Sequence, residues 1–345
     1  MTKTESGTWR VDIRRRGHPR IIKNFRLKRE GEAWARRTED EMSRGVYLHR
    51  DSAEQTTIAG ALERYLNEVS VKKAPGTHAR EIKLARGLVQ RLGNYTLATM
   101  TPNVLAKFRD ERLKTVSSNT VRLDLALISH LFTIAIKEWQ VGLPFNPVLN
   151  ISKPAPARAR ERRLMGDEEE RLLAACDAYS NPTVGWVVRI ALATAMRKEE
   201  ILKLRRSDVD LTHRIATVQI DKNQETRHVP LSADAVGVFE RVFNRTVQPI
   251  DTDLLFYGDP GADGERDFYE INKAWRVILA RAGIEALHFH DLRHEAISRM
   301  VEKGMPDQFV MAVSGHKTHA MLKRYTHLKP KDIVAKMDAI GFGKK

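Results

Sequence analysis

The sequence predicts a multidomain, mainly α protein. A small β-hairpin or sheet plus helix forms an N-terminal domain, a helical domain follows, and an α+β domain completes the chain. Three observations predict this. Apolar and polar residues alternate only in a few short stretches, while elsewhere apolar residues recur at the three-to-four spacing of amphipathic helices. Residues 151–163 (ISKPAPARARERR) hold prolines, alanines and five Lys or Arg with almost no apolar bulk, which reads as an extended linker between two patterned blocks. The 345 residues, 42% of them hydrophobic, suffice for two or three domains with proper cores.

In residues 8–27 (TWRVDIRRRGHPRIIKNFRL), alternation around Trp9, Val11 and Ile13 leads into a Gly17-His18-Pro19 turn and a second run through Ile22 and Phe25. This predicts a β-hairpin, with room for a further short strand, and then a helix over about 30–44. Residues 1–50 therefore form the first domain. Its hairpin carries Arg14, Arg15, Arg16, Arg20 and Lys23, and such a ribbon fits a DNA groove. A solvated basic hairpin without a ligand is the plainer alternative.

Residues 55–150 read as a four- or five-helix bundle. Thr56 or Thr57 can cap IAGALERYLNEV, Thr101-Pro102 is a cap followed by proline at the first helical position, and Ser117 or Ser118 opens the next helix. There Val121, Leu125, Ile128, Phe132, Ala135 and Trp139 form one apolar stripe, which points to core rather than to a cofactor site. In the linker, Lys153, Arg158 and Arg160 are placed to follow a DNA backbone, although a plain linker has the same composition. From residue 164 to 345 the pattern is α+β. Helices are expected at 167–178, 183–195, 198–205, 232–244, 268–282, 290–303, 306–314 and 318–327, with a tail around 331–339. A hairpin, RIATVQIDKNQETRHVPLS, has Lys222 at the start of its turn.

The net charge of +15 and pI near 9.9 favour a polyanionic partner over a merely soluble basic protein. Residues 1–50 hold fourteen Lys or Arg against seven Asp or Glu, so +7 of the excess lies there. The single cysteine, Cys176, excludes an internal disulfide and a multi-cysteine zinc site. No apolar run is read as a membrane span and no signal-peptide core is seen, so an intracellular, cytoplasmic location is expected, nucleoid-associated in a bacterial host.

The stretch HFHDLRHEAISRM, residues 288–300, concentrates three histidines and two arginines, and helical spacing stacks His290, Arg293 and His294 on one face. Such a cluster calls for an anion, a metal or a proton-transfer task. His290 and His294 have the spacing of a zinc-protease helix. That motif, however, needs glutamate after its first histidine, where this chain has Asp291, and Arg293 between the histidines repels a divalent cation. No metal is expected. Arg197 in TAMRKEEIL follows an apolar helix, and alone it reads as an ion-pair partner of Glu200. Set beside Arg293, Lys222, His290, His316 in SGHK and Tyr325 in LKRYTHL, it reads differently: two guanidiniums can neutralise a phosphodiester approaching a pentacoordinate state.

These six residues, in this order, resemble the active-site pattern of the tyrosine site-specific recombinases of the phage-integrase family. The match is strongest over about 164–330, and HFHDLRHEAISRM and MLKRYTHL look most like the shufflon-type DNA recombinases. More weakly, the helical block is similar to the family's core-binding domain and the hairpin to its arm-type DNA-binding domain. Ala195 departs from the pattern, since glycine is common two residues before the first arginine.

The resemblance implies that Tyr325 attacks the scissile phosphate to give a 3′-phosphotyrosyl link and a free 5′-hydroxyl. Arg197, Arg293 and His316 would hold nonbridging oxygens, His290 would accept the tyrosine's proton, and Lys222 would protonate the leaving oxygen. Glu200 would support the site, and His288 and His294 would be structural or local hydrogen-bonding residues. It implies double-stranded DNA recombination sites and a synaptic homotetramer as partners, admits accessory DNA-bending proteins, and requires no cofactor, neither metal nor ATP. A type IB topoisomerase, a telomere resolvase and a DNA-binding regulator with a vestigial active site remain the competing readings.

Overall fold

The structure is a computed structural model that describes residues 1–345 except 19, 46–50, 159, 221–224, 246–248, 324, 326–333, 335–336 and 339–345. The chain divides into two compact units, Met1–Arg158 and Ala159–Lys345.

The first unit opens with a three-stranded antiparallel sheet, β1 (Thr2–Lys3), β2 (Trp9–Ile13) and β3 (Ile21–Phe25), in the order β1-β2-β3. Trp9 pairs with Phe25 and Ile13 with Ile21. Period-two alternation puts Val11, Ile13 and Ile21 inward, where they meet Met42 of helix α1 (Lys28–Ser43), while Ile22 points outward at 39% exposure. Gly31 lets α1 approach the sheet: a Cβ there would lie 3.0 Å from Val11 Cγ2 and 3.2 Å from Phe25.

The helical block follows as α2 (Asp51–Gln55), α3 (Ile58–Glu68), α4 (Pro75–Leu92), α5 (Pro102–Leu113) and α6 (Ser118–Lys137). The caps fall where side-chain oxygens can take up orphan amides. Thr57 accepts from Gly60 N, Thr101 from Val104 N and Ser117 from Thr120 N. Val121, Leu125, Ile128, Phe132 and Ala135 of α6 are fully buried. Contrary to the sequence expectation, α6 is long and apolar enough by length and composition to cross a membrane, with a mean hydropathy of 1.2. It is a core helix: its buried face holds the bundle together, and its Asp124 takes a 3.0 Å hydrogen bond from Arg112.

The second unit is built around α8 (Thr183–Thr194), which packs against α7 (Glu168–Asp177), α10 (Ala233–Phe243) and α12 (Phe289–Glu302). Its Val184, Val187, Val188, Ile190 and Ala191 are inaccessible to solvent. The short helix α9 (Lys198–Leu202) leads to the antiparallel sheet β4 (Val209–Asp210), β5 (Ile215–Ile220) and β6 (Glu225–Pro230), of which β5 and β6 are the expected hairpin. A second hairpin, β7 (Tyr257–Pro260) and β8 (Arg266–Phe268), precedes α11 (Asn272–Ala282). Helices α13 (Asp307–Ser314) and α14 (His319–Leu322) follow α12.

Two expectations change. The helix expected from 268 starts at Asn272, because 266–268 is spent on β8 opposite the DPGADG turn, where Gly264 takes φ +82°. The helix expected over 198–205 ends at Leu202, since Asp208 turns back to accept from Arg205 N and opens a 3-10 turn at Arg206–Asp208. The expected end of the 318–327 helix and most of the 331–339 tail lie outside the described residues.

Candidate active site

Helix α8 ends on Ala195, whose left-handed φ of 54° turns the chain so that Arg197 becomes the N-cap of α9. Glu200, one turn on, reaches back: its Oε2 accepts from Arg197 N at 2.8 Å and its Oε1 from Arg197 Nη1 at 2.6 Å. The ion pair expected from sequence is therefore present, and it leaves the Arg197 side chain 46% exposed.

Arg293 projects from α12 and is buried at 3% exposure. It donates from Nη1 to the Ala195 carbonyl and from Nη2 to the Ser314 carbonyl at 2.6 Å. Burial, followed by the neighbouring charge of Arg197, lowers its pKa to about 10. A cation held this far from water favours the approach of an anion.

His316 follows Gly315, the left-handed cap of α13. The Ser314 hydroxyl donates to the Val310 carbonyl at 2.6 Å, and its oxygen lies 3.0 Å from His316 Nδ1. The one hydroxyl proton is already used, so Nδ1–H is the donor of this second bond. Protonation of Nε2 then decides whether the imidazole can donate to a phosphate oxygen.

Tyr325 packs on Ala195, Ala296, Ile297, Val310 and Leu322. Its ring lies 5.9 Å from that of His316 and 5.6 Å from that of His294. The phenol oxygen hydrogen-bonds His294 Nδ1. His290 stands edge-on to His294, with ring centroids 4.9 Å apart. His294, expected to be a local hydrogen-bonding residue, thus occupies the place at the hydroxyl that sequence reasoning gave to His290. His288 is the N-cap of α12 and donates its backbone N–H to Asp291 at 2.8 Å.

A further arginine, Arg227, joins the site from β6. It donates to Glu200 Oε2 at 2.6 Å and to the Val313 carbonyl. The sequence reading missed it, although the signal was there. In TRHVPL the alternation puts position 227 on the same face as buried Val229, and an arginine facing inward needs a partner. An open groove of about 960 Å³ runs past Arg197, Lys203, Arg227, His316 and Lys317. Lys222 lies outside the described residues.

Another face of α12 is held by residues at the end of the 151–163 linker. Arg160 bonds buried Asp291 at 3.1 Å and the Ala286 carbonyl at 2.5 Å, and Arg163 makes a two-pronged contact at 3.0 Å with buried Glu295. Lys153 and Arg158 are exposed. In the first unit, Arg20 and Arg14 both bond Asp12, at 2.6 and 3.0 Å, and together they hold its carboxyl well below the usual range. Arg15 donates to the Glu39 carbonyl at 2.9 Å, Arg16 is exposed, and Lys23 lies 3.8 Å from Glu54 and over the Trp34 ring.

Guanidiniums gathered near a tyrosine that hydrogen-bonds a histidine are the groups that phosphoryl transfer to a phenol would need. The sequence pattern of the phage integrase family matches residues 162–332. Over 294 residues the chain is 38% identical to a shufflon-specific DNA recombinase of Escherichia coli, covering 82% of this chain and 72% of that protein. The chain belongs to the phage integrase family: it is a tyrosine recombinase, an enzyme of site-specific DNA breakage and rejoining. It is 28% identical to the integrase of Salmonella phage P22 over 60% of this chain and 53% of that one. Its fold is similar to that of the Tn1549 transposon integrase in complex with circular intermediate DNA, with a TM-score of 0.67 at 18% identity over 82% of this chain and 99% of the other. A lambda integrase tetramer bound to a Holliday junction aligns with a TM-score of 0.63 at 18% identity, covering 94% and 93%.

Proposed function

We propose that the chain exchanges strands between paired double-stranded DNA sites as a homotetramer, with Tyr325 as nucleophile. The observation that carries this is the convergence of Arg197, Arg293 and His316 around a tyrosine whose hydroxyl already bonds a histidine nitrogen. An ordinary tyrosine hydroxyl has a pKa near 10, so the reaction needs both an acceptor for its proton and charge to stabilise the phenolate.

In the step proposed, Tyr325 Oη attacks the scissile phosphorus and its proton passes to the His294–His290 pair. Arg197 and Arg293 take the nonbridging oxygens, and His316 adds a hydrogen bond. The bond to the 5′ oxygen breaks, and that oxygen leaves as a hydroxyl with a proton supplied by Lys222, a role carried over from the family. The 3′-phosphotyrosyl link keeps the phosphodiester energy, and a 5′-hydroxyl from the partner strand reverses the step. Neither ATP nor a metal enters this balance. Glu200 orients Arg197. The arm-type domain, residues 1–50, uses Arg14, Arg15, Arg16, Arg20 and Lys23 on DNA, and the helical core-binding domain, 55–150, encloses the core site. Lys153 and Arg158 follow the backbone in the 151–163 linker, where Arg160 also braces α12.

The likeness to a shufflon-specific recombinase favours inversion between sites on one molecule, in the cytoplasm, with accessory bending proteins where site geometry demands them. The test is to trap the chain on nicked duplex DNA and map the adduct by peptide mass spectrometry. DNA linked to Tyr325, and joining of two sites, is the expected result. An adduct on another residue removes the assignment, and binding without any adduct returns the regulator reading. Sequencing the trapped DNA identifies the site.

A further inference from the structure

Glu200 is asked to serve two arginines. Its Oε1 accepts only from the Arg197 guanidinium among the bonds described, whereas Oε2 accepts both the Arg197 backbone N–H at 2.8 Å and Arg227 Nη2 at 2.6 Å. The carboxylate is 14% exposed and the Arg227 side chain only 10%. A charge pair this far from water interacts strongly, so how one carboxylate is divided between two cations matters to both. Arg227 is also locked in shape. Its other terminal nitrogen donates to the Val313 carbonyl, and its stem runs along Gly315, where a Cβ would come within 2.9 Å of Nε and 3.0 Å of Cδ. Gly315, at φ +72°, is the residue that presents His316. One side chain on β6 therefore touches the carboxylate behind Arg197 and the turn before His316.

Resting on the recombinase reading above, we propose that Arg227 is a positioning residue for strand cleavage. It takes up part of the Glu200 charge, so that Arg197 keeps enough positive charge for the phosphate, and it holds the His316 turn against strand β6. Without Arg227, Glu200 is left to Arg197 alone. The carboxylate then competes with the DNA phosphate for the guanidinium that the reaction needs. Burial pulls the Arg227 pKa down, and the neighbouring Glu200 charge opposes that effect.

The experiment measures single-turnover formation of the covalent adduct by the full-length chain on a nicked duplex. Arg227→Met keeps the bulk and removes the charge. It is expected to slow adduct formation roughly 10- to 100-fold at saturating DNA, the scale of a misplaced reacting group, with half-saturating DNA concentration unchanged within about twofold. Arg227→Lys restores a charge near Glu200 and should recover most of the rate.

The decisive variant is the double change Arg227→Met with Glu200→Gln. Once the carboxylate charge is gone, Arg197 is released, so the double variant should cleave faster than Arg227→Met alone. A purely structural role predicts the opposite, since each change removes a contact. Where Met does not give a folded chain by thermal melting, Arg227→Gln replaces it, because it can still donate to the Val313 carbonyl without carrying charge. The proposal is overturned if the uncharged variants cleave at the parent rate, if Lys is as slow as Met, or if the double variant is no faster than the single one. Absence of adduct in the parent chain would instead sink the recombinase reading on which the proposal rests.

Discussion

Among the described residues, each unit has a tyrosine hydroxyl hydrogen-bonded to a histidine, and the surroundings of the two differ. In the first unit, the hydroxyl of fully buried Tyr65 lies 2.6 Å from His130 Nδ1 and accepts from Lys73 Nζ at 2.7 Å. Glu81 takes the other Lys73 bond at 2.7 Å and accepts from Ser70 at 2.6 Å. One cation meets one anion, and the network closes on itself. Burial, only partly offset by the hydrogen bond from Lys73, pushes the Tyr65 hydroxyl up, away from ionisation. In the second unit, the site that holds Tyr325 and His294 also holds buried Arg293, bonded to backbone carbonyls, and Arg197 and Arg227, which share the carboxylate of Glu200 and line an open groove. The same two residue types are a structural tie where charge balances and a candidate nucleophile where positive charge is left over and a polyanion can enter. The chemistry is set by the neighbours rather than by the pair.

Exchanging tyrosine for phenylalanine in each pair gives the largest contrast. Tyr325→Phe should abolish the covalent adduct while duplex affinity, measured by gel shift, persists, because the phosphate-binding cations remain. Tyr65→Phe should leave the adduct intact and lower stability by about 1–3 kcal/mol, since Lys73 and His130 lose a partner. An adduct from Tyr325→Phe, or its loss in folded Tyr65→Phe, would break the comparison.

The histidine partners come next. With His294 as proton acceptor, His294→Ala should slow cleavage by roughly 10²–10⁴-fold, and His290→Ala by less. If His290→Ala is the slower variant in a quench-flow comparison, the acceptor role passes back to His290 once DNA is bound. The corresponding change at His130 should affect melting rather than cleavage.

Acid separates the two regions more gently. Burial first, and then the Lys73 charge, depress the His130 pKa below its usual 6.5. The folded state therefore binds this proton less readily than the unfolded chain. The stability linked to neutral His130 is present above about 6.5 and falls away as pH drops from there toward the lowered value. Hydrogen exchange of α3 and α6 amides should accelerate relative to α8 between pH 7.5 and 5.5. Equal protection in both units would show that the Tyr65 network is indifferent to His130 charge.

The smallest effect is expected at the join between α8 and Arg197. A buried alanine at φ 54° is strained by roughly 1–2 kcal/mol. Glycine relieves this at an entropic cost of roughly 0.5–1 kcal/mol. Ala195→Gly should therefore raise stability by about 0.5–1 kcal/mol, read as a higher melting temperature, with the Arg293 bond to the 195 carbonyl retained. A lower melting temperature would mean that the alanine methyl, packed beside Tyr325, matters more than the strain.

Much of this molecule was legible before any coordinates, where the governing physics is local. Thr57, Thr101 and Ser117 cap because their oxygens reach amides three residues on, and the apolar stripe of α6 follows from helical spacing alone. The start of α11 was misread because a turn in DPGADG, rather than apolar spacing, decides where the chain becomes helical. The order Arg197, Lys222, His290, Arg293, His316, Tyr325 was sufficient to identify the class of enzyme.

The tertiary structure alone decided how the site is held. Arg293 bonds carbonyls 98 positions before it and 21 after it, Arg227 meets a carboxylate 27 positions away, and Tyr325 meets His294 across 31. No propensity or spacing carries such distances. Desolvation forces each buried charge to find the partners that the folded chain happens to offer, and that pairing exists only once the core has closed.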